Sequence, residues 1–194
     1  MTYVGLIDGL FLQDYPPTPI EVYQLLANKR FRVVGGASLG ALRAVELEKF
    51  GMKGIGKVFE LFKNGVTDAD DEVAVTFYPN QHDERSRIED QDAQSEAMID
   101  IRYNLYLAFK KNIISGRTKQ MITRVAKSIY FPNRIYSNVL ETTRVKFPDL
   151  SGELDSFYLY LEKNRRSLKE RDAIEVIKYI KSACERGTPS REIW

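Results

Sequence analysis

The order of patterns along the chain predicts an α/β fold: a small parallel, Rossmann-like sheet with covering helices, followed by an all-helical C-terminal half. Three observations predict it. Short apolar runs alternate with helical periods over the first third, a glycine-rich turn follows the second run and opens a helix, and after Ser95 only the helical period recurs. On this reading residues 1–94 form an α/β half and residues 95–194 a helical half, joined in one compact unit.

Each element has a local reason. Tyr3–Ile7 (YVGLI) is a short apolar run that ends at Asp8-Gly9, as a buried strand does. Thr18 precedes Pro19 and IEVYQLLANK, with Glu21 three positions on, which is a capping box with proline at the first helical position. Phe31–Val34 (FRVV) reads as the second strand. From Leu39 the run LGALRAVELEKF has helical spacing and stops at Gly51, and IGKVFELFKN forms a further helix ending at Asn64-Gly65. The acidic run Asp68-Ala69-Asp70-Asp71-Glu72 leads into VAVTFY, which reads as a strand and would carry Asp70 and Asp71 to the sheet edge that holds Ser38. Residues 79–94 are polar and aperiodic, a loop or lid. Beyond them three apolar stripes follow: Met98, Ile101, Leu105, Ala108 and Phe109; Met121, Ile122, Val125 and Ile129; and Ala173, Ile174, Ile177, Ile180 and Cys184.

Composition narrows the function classes. The single cysteine, Cys184, precludes an internal disulfide and fits a reducing compartment, and its place on the last stripe reads as a buried structural thiol. The N-terminus lacks the pattern of a signal peptide, and no stretch approaches the roughly 20 apolar residues a spanning helix needs. A cytoplasmic protein without membrane contact is expected. The net charge of +2 hides an asymmetry: residues 1–100 carry ten Lys and Arg against seventeen Asp and Glu, and residues 101–194 carry nineteen against ten. Either the basic half meets an acidic partner, through Arg165, Arg166 and Lys169 among others, or its cations only coat solvated helices. Interleaved aromatic motifs for nucleic acid are missing, and no nucleic-acid partner is expected.

The segment Gly36-Ala37-Ser38-Leu39-Gly40 matches G-x-S-x-G after a strand and before a helix. Three readings stay open. Ser38 is the nucleophile of an elbow whose helix N-terminus stabilises an oxyanion, or a helix cap, or part of an anion site without covalent chemistry. Asp8 would leave the same carboxyl edge if the first two strands are parallel, which permits a Ser–Asp dyad; a plain turn is the alternative. The only histidine, His82, lies in the polar loop. Arg43 sits one turn beyond Leu39, where it could face an anion. Crowded carboxylates such as Asp70, Asp71 and Glu72 could collect a divalent cation, but the spacing does not match a calcium loop, so no metal is assigned. Glu96 and Arg102 lie on the first long helix, where outward salt bridging is the default.

The run VVGGASLGALRAVELEKFGMKGIGKVFELFKNG, followed by DADDEVAV, resembles the signature of TfuA-like proteins, and the resemblance continues through SEAMIDIRYNL and FPNRIY, over roughly residues 5 to 140. The family shows G-A-[AS]-S-[ML]-G-A-L-R-A-A-E-L, then F-G-M-x-G-x-G, then D-D-D-E-V-A-V. This chain looks like a short version. It has Pro17-Thr18-Pro19-Ile20-Glu21 where the family often has W-H-K-E, and Phe77 where the family tends to have histidine. The resemblance singles out Asp8, Glu21, Ser38, Arg43, Glu46, Asp70, Asp71, Glu72, Glu96 and Arg102, and the turn residues Gly36, Ala37, Leu39 and Gly40 with them. It implies a partner of YcaO enzymes, which use ATP to activate a backbone amide, in installing thioamides in peptides or in proteins such as methyl-coenzyme M reductase. The expected role is to supply sulfur by hydrolysing the C-terminal thiocarboxylate of a ubiquitin-like sulfur-carrier protein, with no cofactor of the chain's own. The alternative is a non-catalytic adaptor or allosteric activator that docks YcaO to its substrate.

Overall fold

The computed structural model describes residues 1–8, 16–67, 69–76 and 94–187. They divide into two compact units, Met1–Asp68 with Leu168–Trp194, and Ala69–Ser167. The boundaries differ from a division at residue 94, because the last helix returns to the sheet and the acidic run belongs with the helices.

The first unit holds a three-stranded parallel sheet in the order β1 (Thr2–Leu6), β2 (Phe31–Gly36), β3 (Lys53–Ile55). Val4 pairs with Val33, and Val34 with Lys53. Helix α1 (Pro19–Ala27) starts in the expected capping box: the Glu21 N–H donates to Thr18 Oγ1 at 3.3 Å, and the Thr18 N–H donates to Glu21 Oε2 at 2.8 Å. Helix α2 (Leu39–Leu47) continues in a 3-10 turn to Phe50 and stops at Gly51, whose φ of 99° no β-carbon tolerates well. Helix α3 (Lys57–Lys63) follows β3, a strand of only three residues that carries no apolar run of its own.

Strand alternation and glycine explain the layering. A β-carbon on Gly35 would collide with the Gly40 carbonyl of α2, whereas one on Gly36, its neighbour on the opposite face, would collide with Val176. Val176 lies on α8 (Leu168–Gly187), and Gly5, which shares the face of Gly36, meets Ile180 of the same helix. Helices α2 and α8 thus cover opposite faces of the sheet.

This corrects the phase of the last stripe. Leu168, Asp172, Val176 and Ala183 face inward, at intervals of four, four and seven, while Ile174 and Ile177 are exposed. Cys184, expected as a buried thiol, is exposed for the same reason. Asp172, buried at the first turns of α8, interrupts the apolar pattern on the true inner face, so the apolar residues one position away suggested the wrong one.

The second unit contains α4 (Met98–Lys110), α5 (Gly116–Ser128), α6 (Tyr136–Lys146) and α7 (Ser151–Asn164). Met98, Ile101, Leu105 and Ala108 are buried as the period requires, with Phe109 at the rim; Ile122 and Val125 join the interior from α5, and Met121 and Ile129 pack against it half-buried. Asp70–Glu72 form a 3-10 turn. Of the strand read at VAVTFY, residues 73–76 are turn and irregular chain, so they bring no fourth strand to the sheet. Val73 and Ala74 are buried there without pairing in a ladder. His82, Asp68, Phe77 and most of the polar loop lie outside the described residues. Among the described residues no helix is long and apolar enough to cross a membrane.

Candidate functional site

In the first unit the candidate site gathers where β1 and β2 end. Because the two strands are parallel, Asp8 and Ser38 each follow two residues beyond the last strand residue, on the same edge of the sheet. Ala37 turns the chain with a φ of 68°, a left-handed conformation that costs a non-glycine residue roughly 1 kcal/mol or more. Ser38 then stands at the N-cap of α2 and is fully buried. Its side chain makes no capping hydrogen bond, so the cap reading loses its usual physical content.

Backbone bonds fasten this turn to the residue that follows β1. The Ile7 carbonyl accepts from the Ser38 N–H and from the Gly40 N–H, both at 3.2 Å. A β-carbon on Gly40 would overlap the Leu6 carbonyl, so glycine is required there for close approach. Two N–H groups at the start of α2 are therefore held by the Ile7 carbonyl, just beyond β1, and are not open to an oxyanion.

Asp8 is half-exposed, and Lys169 of α8 brings its Nζ to 3.3 Å from Asp8 Oδ2. Lys169 itself is only 8% exposed. The sequence places it among the surface cations of a partner interface, and the structure corrects that: the inward phase of α8 carries it to the sheet edge. Arg43, by contrast, donates from Nε to the Pro17 carbonyl at 2.8 Å and from Nη1 to Glu46 Oε2 at 2.9 Å. Arg43 and Glu46 thereby pin the chain leading into α1. Glu21 is engaged by Thr18 N–H, then by its hydroxyl, and these bonds hold its carboxyl below the usual range.

The remaining candidates belong to the second unit, where cations pair with Glu72, Asp71 and Glu96. Glu72 is buried; Arg102 donates from Nε and Nη2 to its two oxygens at 2.9 Å, and Lys127 approaches Oε1 at 2.6 Å. Burial raises the Glu72 pKa, but the bonds from Arg102 and Lys127 outweigh it and the net direction is down. Asp71 follows the same logic: burial opposes ionisation, while Arg134 at 2.7 Å and Lys127 at 3.7 Å prevail. Arg134 is 1% exposed and also donates to the carbonyls of Asp71, Ala126 and Ile129, so it ties the acidic turn to the end of α5. Asp70 is exposed. Glu96 pairs with Arg165 at 2.5 Å, yet burial pushes its pKa up, with Asp100 adding to the rise. Among the described residues no cluster of His, Cys, Asp or Glu is arranged to hold a metal ion.

The unpredicted participants are Lys127, Arg134, Lys169 and Asp172. Arg134 lay in plain view within FPNRIY, but nothing local distinguishes a buried arginine from a solvated one. No protein of curated function matches the chain. The family model of TfuA-like proteins matches residues 8–135, a span that contains Asp8, the Ser38 turn and the turn of Asp70–Glu72. This chain belongs to the TfuA-like family.

Proposed function

We propose that this protein works beside a YcaO enzyme in backbone thioamide formation and supplies sulfur by hydrolysing the thiocarboxylate of a ubiquitin-like carrier. Family membership supports a thioamidation-associated accessory role. The observation that carries the hydrolytic reading is the common edge of Asp8 and the left-handed Ala37–Ser38 turn at the start of α2. In the reaction, the carbonyl carbon of the carrier's terminal R–COS⁻ gains an oxygen and its C–S bond breaks; with one water the products are R–COO⁻ and hydrogen sulfide. Ser38 would act as nucleophile through an acyl-serine, or frame the oxyanion while water attacks. The target thioamide, methyl-coenzyme M reductase or another chain, is the YcaO partner's substrate, and ATP is consumed there.

The complete burial of Ser38 favours the second reading, a non-catalytic adaptor or allosteric activator of YcaO. One experiment separates them. The purified protein is incubated with thiocarboxylated carrier, without YcaO, and sulfide is measured. Catalytic release supports the hydrolase; release only with YcaO and ATP present abandons it for the adaptor.

A further inference from the structure

Lys169 lies outside the segment that matches the family, on a helix whose neighbouring positions, Glu170 and Arg171, are exposed. A solvated place for its ammonium was one residue away. Instead the side chain is nine-tenths buried, with Nζ at 3.3 Å from Asp8 Oδ2. Lysine is almost never buried without a charged partner, since desolvating an ammonium costs several kcal/mol. The partner here is itself half-exposed, so the pair borders solvent on the Asp8 side. Asp8 follows Ile7 directly, and the Ile7 carbonyl holds the N–H groups of Ser38 and Gly40. Arg43, on α2, is committed to Pro17 and Glu46.

We infer that Lys169 is the anion-binding residue of this edge and takes the terminal carboxylate or thiocarboxylate of an acyl chain presented to the Ser38 turn. An ammonium is a compact charge with rotatable donors, so its contacts can rearrange as a second anion arrives beside Asp8. Asp8, already paired with the ammonium, then competes with the ligand for it. The identity of the acyl chain as a sulfur carrier rests on the proposed function.

The test is equilibrium binding of two forms of a ubiquitin-like sulfur carrier, one ending in a free carboxylate and one amidated. Wild type should bind the carboxylate at least tenfold tighter. Lys169→Met, which keeps the apolar stem, should lose that preference, and Lys169→Arg should retain most of it. Asp8→Asn should increase it severalfold by removing the competing anion. Melting temperatures of all variants identify any that do not fold, and the Asp8→Asn result stands without Lys169→Met. A lysine that only pins α8 to β1 would leave the preference unchanged in folded Lys169→Met, and that result overturns the assignment alone. Equal binding of the two forms by wild type, or none of either, overturns both this assignment and the carrier-hydrolase reading.

Discussion

Glu72 and Arg102 meet in a two-pronged ion pair, Nε and Nη2 each 2.9 Å from a carboxylate oxygen, across thirty positions of sequence. The glutamate is buried while the arginine is about one-third exposed, so the pair anchors the acidic turn to α4 from the inside. Glu72→Gln removes the charge that Arg102 and Lys127 surround. The expected loss is about 2–3 kcal/mol, below the roughly 3–5 typical of fully buried pairs because both cations stay within reach of water. The folded carboxyl titrates below its ordinary value of 4.5, so its stabilising contribution is full above that value and is lost as pH falls through the lowered one. Thermal melts from neutral to acid pH should show a steeper decline for wild type than for Glu72→Gln; parallel curves would count against the pair.

Asp172 carries the opposite sign. Its Oδ2 accepts the Val58 N–H at 2.7 Å, while burial raises its carboxyl pKa above the ordinary 3.8. The folded state holds that proton more tightly than the unfolded chain, so ionisation detracts from stability as pH climbs from 3.8 through the raised value. Asp172→Asn retains an acceptor and should compare better with wild type at neutral pH than under acid conditions. Asp172→Ala orphans the Val58 N–H and should lose about 1–3 kcal/mol. Equal losses in both variants at neutral pH would show that the acceptor is unimportant.

The inward phase of α8 is tested by two neighbours. Val176→Ala empties space against Gly36 and should cost about 1.5–3 kcal/mol. Ile177→Ala, at an exposed position, should stay within about 0.5 kcal/mol of wild type. Chemical denaturation of both variants decides it, and a reversal of the order would return the helix to the phase its apolar stripe suggests.

Serine and thiol chemistry separate at Ser38 and Cys184. If the turn serine attacks the thiocarboxylate, Ser38→Ala should lower sulfide release by at least about a hundredfold and keep the fold, since its side chain provides no cap. Cys184→Ala should leave release unchanged, because an exposed side chain adds little to the core. A folded Ser38→Ala protein with full activity removes the nucleophile assignment; loss of activity in Cys184→Ala would point to a persulfide.

Local chemistry determined what the sequence by itself disclosed. The capping box at Thr18–Glu21, the stop at Gly51, the apolar runs of β1 and β2 and the stripe on α4 depend on residues within a few positions, and all are found. Family membership was legible because the run from Val33 to Gly65 is long and specific. Tertiary structure alone decided the rest. Strand β3 has no apolar run and exists because β2 offers it an edge. The true face of α8 includes Asp172 and Lys169, whose burial requires Val58 and Asp8, 114 and 161 positions away. A buried charge is tolerable only beside its partner, and that partner is supplied by the fold; no local period reveals it.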